Sequence, residues 1–197
     1  MASAAAPYGA RPIGTLSASG SWSGKVREYP IASGTAVNIF YGDFVKALVT
    51  GYVTKDVGTS LVAGAVLGIF VGCSYTDPST SQPTHNNMWP TGTVASDAVA
   101  YVIDDPDVIF QMQSDATLTV AAGLFANVDI ALTSGSTAVG VSKNALDGGN
   151  IATTTSLPIK IIGFVDAPGS AVGDDYTDAI CKFNDALLFH RSAAGLS

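Results

Sequence analysis

Three aspartates fall within four positions at Asp104, Asp105 and Asp107, with Pro106 between them, in the stretch YVIDDPDVIFQMQSD. Carboxylates at that density can do three kinds of work. Two of them facing a sugar across roughly 5–10 Å would be the acid and base of a glycoside hydrolase. A wider set of about six to eight oxygens would hold calcium, with GDDYTD at residues 173–178 as the second contributor if it folds alongside. The third reading is a turn. Adjacent carboxylates at a strand end point to opposite faces, which sets them apart rather than together. Pro106 presets φ for the first central position of a turn and removes a donor. DDPD also lacks the EF-hand pattern. The favoured reading is therefore a turn between two strands, with Val108, Phe110 and Met112 on one face of the second strand and Gln111 and Gln113 on the other.

The remaining reactive side chains are sparse. Cys73 and Cys181 lie far apart, each inside an apolar run, and read as buried free thiols packed as small hydrophobes. With them, the distant His85 and His190 do not have zinc-site spacing. The chain carries no G-x-S-x-G, P-loop, H-E-x-x-H or G-x-G-x-x-G pattern. Residue types therefore point to no catalytic residue, no cofactor and no metal.

The elements that position these residues are legible from composition. Of 197 residues, 47% are hydrophobic and only 13% charged, about half the usual charged share. Such a surface implies contact with copies of itself or a partner, or a β protein rich in Ala, Gly, Thr and Ser. Sixteen acids against nine bases give a net charge of −7, and the only glutamate is Glu28. Aspartate suits turns where glutamate suits helices. The bases do not cluster to neutralise phosphates, which argues against nucleic-acid binding. The opening MASAAAPYGARPIGTLSASGSWSG does not read as a signal peptide. The run LVAGAVLGIFVGC is too short to cross a bilayer. The expectation is a soluble, unexported chain with no membrane contact.

Residues 1–29 hold no sustained period of two or 3.6 and read as an extended N-terminal arm, disordered or ordered on a neighbour. Tyr8, Ile13, Leu16 and Trp22 are its anchors. From residue 30 to 197 the texture is that of one domain. AVNIFYGDFVKALVTGYVTK reads as strand, Gly-Asp turn, strand. LVAGAVLGIFVGCSY reads as a strand pair or a bent strand. Residues 76–92 read as a long polar loop with Met88 and Trp89 near its end, either a lid on the core or an interface anchor. AVAYVID and VIFQMQS follow as strands, STAVGVSKNALDGGNIATTTS as loop, LPIKIIGFVDAP as strand, GSAVGDDYTD as a long turn, and AICKFNDALLFH as a last strand. Short strands punctuated by Gly, Asp and Pro predict an all-β fold, a single β-barrel or jelly-roll-like β-sandwich with the extended arm.

Four stretches taken together, VLGIFVGCSYTDP, MWPTGT, AYVIDDPDVIFQMQSD and LPIKIIGFV with GDDYTDAICKFNDALLF, resemble small structural proteins of marine and cyanobacterial tailed phages. The likeness spans about residues 30–190 and includes the Lys182–Asn184 pair of the last strand. It implies a head decoration, or cement, protein. Such a protein is made in the host cytoplasm, sits on the outer surface of the virion capsid, bridges neighbouring major capsid protein subunits, and is a homo-oligomer, a trimer before a dimer. Tyr8, Ile13, Leu16, Trp22, Met88 and Trp89 would then make the capsid contacts. Two other functions fit the same composition: a tail, fibre or spike β module binding a partner or carbohydrate, and a virion-associated hydrolase using Asp104, Asp105 or Asp107.

Overall fold

A computed structural model describes residues 4–16, 24–56, 66–185 and 188–191. The chain runs through β1 (Arg11–Thr15), β2 (Arg27–Pro30), β3 (Ile39–Phe40), β4 (Phe44–Ala47), β5 (Val53–Lys55), β6 (Val66–Thr76), β7 (Pro83–Asn86) and β8 (Met88–Trp89). It continues through β9 (Val99–Ile103), β10 (Val108–Gln113), the single turn α1 (Val120–Gly123), β11 (Asn127–Ala131), β12 (Ala145–Ala152), β13 (Ile159–Phe164) and β14 (Asp178–Phe183). A 3₁₀ turn at Phe189–Arg191 follows. Thr119 caps α1 by accepting the Ala122 amide, but no apolar stripe extends the turn, and it stops after four residues.

The strands form two six-stranded antiparallel sheets and a small pair. One sheet has the order β1-β10-β14-β13-β11-β12. The other has the order β2-β9-β6-β4-β5, with β7 also on β6, and β3 pairs β8. The all-β, sandwich-like expectation holds. The first sheet curls enough that Ser114, just past β10, bridges Leu146 of β12.

Period-two alternation explains the packing. Val108, Phe110 and Met112 of β10, Ala179, Cys181 and Phe183 of β14, Ile159 and Ile161 of β13, and Val128 and Ile130 of β11 all face one core. There they meet Phe44, Val66, Ile69 and Ile103 of the second sheet. Phe44, Phe110 and Phe183 meet edge-on or tilted, with centroids 5.1–5.9 Å apart, the arrangement that ring quadrupoles favour. The second sheet is buried on its other face as well. Leu67, Phe70, Cys73 and Tyr75 of β6 pack there with Val45, Val53, Trp89 and Val102.

Strand β6 therefore has apolar residues on both faces, as a central strand should. Its ladder slips where it meets β4 and again where it meets β9, and these bulges bend it. The bent-strand reading of this run is correct for its described part; residues 57–65 lie outside the described residues. Gly68 sits where β6 and β9 come closest: a Cβ there would lie 2.1 Å from the Ile103 carbonyl oxygen.

Three expectations need correction. The 76–92 loop is largely a return stroke, with β7 pairing β6 and β8 pairing β3. Polar residues conceal it because β7 is an edge strand with no buried face. Residues 145–152, read as loop, are strand β12, whose glycines sit at a bulge opposite β11. The described residues of the 1–29 arm, 4–16 and 24–29, are held by their own domain: β1 pairs β10, β2 pairs β9, and Ala10 is fully buried. The expected boundary at residue 29 falls inside β2. Main-chain pairing needs no apolar periodicity, which is why the pattern was silent.

Phe110→Ala should lower unfolding free energy by about 3–5 kcal/mol in chemical denaturation, because the other two rings cannot collapse into the space. A loss under about 1 kcal/mol would mean that the aromatic cluster is not the centre of the core.

Candidate functional site

The acidic stretch forms the corner where β9 of one sheet becomes β10 of the other. The Val108 amide donates to the Asp105 carbonyl at 3.1 Å, and the Asp107 amide donates to the Asp105 carboxylate at 2.9 Å, an Asx turn with proline in second place. The three carboxylates have different partners. Asp104, 6% exposed, receives the Tyr29 hydroxyl at 2.7 Å, the Arg27 guanidinium at 3.2 Å and His190 Nε2 at 3.2 Å, all on Oδ2. Asp105 also receives the Thr15 hydroxyl at 3.5 Å. Asp107 pairs with Arg191 at 2.9 Å, and its carbonyl accepts the Leu16 amide at 2.9 Å. Among the described residues no three His, Cys, Asp or Glu side chains are grouped to hold a metal. The corner gathers β1, β2 and the C-terminal 3₁₀ turn onto the β9–β10 connection. Burial, then the hydrogen bond and charge of Asp104, push the Tyr29 phenol pKa up.

The outward face of β10 has a matching task. Gln113 receives the Ala6 amide at 2.8 Å and donates to the Ala4 carbonyl at 3.2 Å. Asp178 accepts the Tyr8 hydroxyl at 2.9 Å and the Gln111 amide at 3.1 Å. Residues 4–8 thus lie along the polar face of the sheet. Burial, reinforced by the Asp178 charge, raises the Tyr8 phenol far above its ordinary value of 10.0.

The five of the six expected contact residues that lie among the described residues are not brought together. Tyr8 is half-buried against its own sheet. Ile13 and Leu16 are exposed, at 43% and 48%, on and just after β1. Trp22 lies outside the described residues. For Met88 and Trp89 the structure follows the lid-on-the-core alternative and not the interface anchor. Trp89 is fully buried edge-on against Tyr75 at 5.3 Å. Met88 is 9% exposed, and its carbonyl accepts the Cys73 thiol at 3.3 Å. Both are core residues, placed there by the β3–β8 pair. Burial pushes the Cys73 thiol pKa up to about 12, so it is not a reactive nucleophile at neutral pH.

A second polar centre escaped the sequence reading. Gly42, at φ +87, turns the chain between β3 and β4 and points Asp43 inward. Fully buried, Asp43 accepts from the Phe40 amide at 2.8 Å, the Ser142 hydroxyl at 2.6 Å and the Asn144 amide at 3.2 Å. It also forms an ion pair with Lys55 at 2.9 Å. Lys55, 8% exposed, lies 5.5 Å from the centroid of Phe40. Gly9 seals the junction: any Cβ there would fall 2.6 Å from both the Gly42 carbonyl oxygen and the Ser142 side chain. The signal was present in the sequence. Alternation puts Lys55 on the same face as Val53, so a lysine stood at an inward position.

No family model, curated protein or solved structure matches the chain.

Asp43→Ala, which leaves the Lys55 ammonium buried without its carboxylate, should cost about 3–5 kcal/mol. Asp43→Leu combined with Lys55→Met should cost clearly less than Asp43→Ala; an equal loss in urea titrations would refute the ion-pair account. The Tyr8 phenol holds its proton better folded than unfolded. Its contribution is intact below pH 10.0 and is lost as pH rises from there toward the folded value. Tyr8→Phe should therefore flatten the fall in melting temperature above pH 10.0, and an unchanged slope would contradict this.

Proposed function

We propose that this chain is a head decoration, or cement, protein of a tailed phage, seated on the outside of the capsid and clamping neighbouring major capsid subunits. The observation that carries the reading is how the N-terminal segment is laid out. Among the described residues, β1 pairs β10 and β2 pairs β9 at the ends of the two strand orders, so this segment supplies an edge strand to each sheet; just past β2, Ile31 bridges Val53 of β5. Ile13, Leu16 and Val26 are exposed along it. An edge strand can take up a partner strand by main-chain hydrogen bonds, and exposed apolar residues beside it give that addition its specificity. Pro12 and the bulge beside it interrupt the edge, which discourages indiscriminate strand pairing.

The low charge, the apolar composition and the resemblance to phage head proteins support the same reading. So does the corner: its carboxylates are engaged in holding chain segments together, a structural task. The acidic balance suits a molecule outside a DNA-filled shell. In this reading the protein is a homo-oligomer, a trimer before a dimer, and each copy makes modest contacts. Several copies engaged at once raise the effective concentration of the rest.

Ile13→Asp with Leu16→Asp changes two exposed side chains and should leave the fold intact by circular dichroism. The double variant should lose binding to expanded heads assembled without the protein, measured by co-sedimentation. Full-affinity decoration by it, or electron-microscopic images placing the wild-type protein on the tail, would reject the proposal.

A further inference from the structure

Beside the buried Asp43–Lys55 pair lies an open cleft of about 310 Å³, walled by Val37, Asn38, Phe40, Lys55, Ser134, Gly135 and Thr137. A smaller one of about 120 Å³ shares the Lys55 and Ser134 walls and is bounded by Asp56, Leu132 and Thr133. The larger falls within the size range of small-molecule sites. We infer that this cleft binds a neutral, hydroxyl-rich ligand of monosaccharide size, with Lys55 as its buried hydrogen-bond donor.

The argument rests on the state of Lys55. It is more than nine-tenths buried, yet it forms part of the cleft wall. An ammonium has three N–H donors; among the described residues its oxygen partner is Asp43 Oδ2, so donors remain for an oxygen in the cleft. Asp43 also cancels the charge. What the cleft offers is a strong donor without net positive potential, which suits a neutral oxygen better than an anion.

The other wall groups fit the same ligand. Asn38 uses its side-chain oxygen for the Thr91 amide at 2.8 Å, leaving its NH₂ as a donor. The Ser134 and Thr137 hydroxyls both donate and accept, as sugar hydroxyls do. Val37, partly exposed, and the edge of Phe40 supply the apolar part of the wall for C–H groups. A carboxylate or phosphate would find one compensated cation and no arginine fork.

The site is independent of where the protein sits in a particle, and its test needs only the purified full chain. ¹⁵N-labelled protein would be titrated separately with glucose, galactose, mannose and N-acetylglucosamine to about 50 mM, and with glucuronate and inorganic phosphate as anionic comparators. At least one neutral sugar should shift the amides of Asn38, Ser134, Gly135 and Thr137. Ser134→Ala with Thr137→Val, both outside the Asp43 network, should weaken that sugar about fivefold or more through lost hydrogen bonds. The inference is overturned if no neutral sugar shifts these amides. It is equally overturned if only phosphate or glucuronate binds, or if the double variant binds as well as the wild type.

Discussion

Asp104 is the acceptor on which the arrangement of the two sheets depends. Strand β9 belongs to one sheet and β10 to the other, and the connection between them is four residues long. So short a link brings the end of one sheet against the start of the next, and the carboxylate at its first position is buried there. A buried carboxylate must be paired and hydrogen-bonded. Its partners come from β2 and from the C-terminal turn. The polar requirement of one side chain is thereby met by two segments that also pack on the second core through Tyr29 and Phe189.

The pair formed by Asp43 and Lys55 makes a similar bargain on the other side of the second sheet. Residues 8–10, 40–43 and 140–144 converge there through main-chain bonds: Ala10 to Gly42, Gly9 to Asn144, Tyr41 to Gly140 and Ser142 to Tyr41. None of these stretches is a long strand, so no ladder fixes their register. A central carboxylate with four donors does it instead, because each donor has to arrive from a defined direction. The two polar centres therefore specify what the apolar cores leave undetermined, namely how irregular segments are seated.

Sequence alone revealed those elements in which burial imposes a pattern. Strands β9, β10, β13 and β14 have at least one face in the core, and their alternation was readable; so was the DDPD turn, whose proline and aspartates act locally. Strands β1, β2, β7 and β12 were missed or misassigned because they are held mainly by backbone pairing, in segments of glycine, serine and polar residues that carry no period. Met88 and Trp89 were legible as apolar, with a lid on the core and an interface anchor both open; what decides for the core is β3, some fifty residues earlier in the chain. The Asp43 centre was hidden for a related reason: Ser142 and Asn144 are about a hundred residues away. The inward lysine at position 55 was the one local clue.

The corner also determines how the molecule would carry a load. The chain between Thr15 and Arg27 leaves one sheet and enters the other, and both of its ends are pinned beside Asp104–Asp107, through Thr15 and Leu16 on one side and Arg27 and Tyr29 on the other. A pull on that connection is split between two sheets. It meets an antiparallel ladder at each end, together with the ion pair and hydrogen bonds at the corner. Tension there would be shared between β1 on β10 and β2 on β9, one ladder in each sheet, before it reached the core.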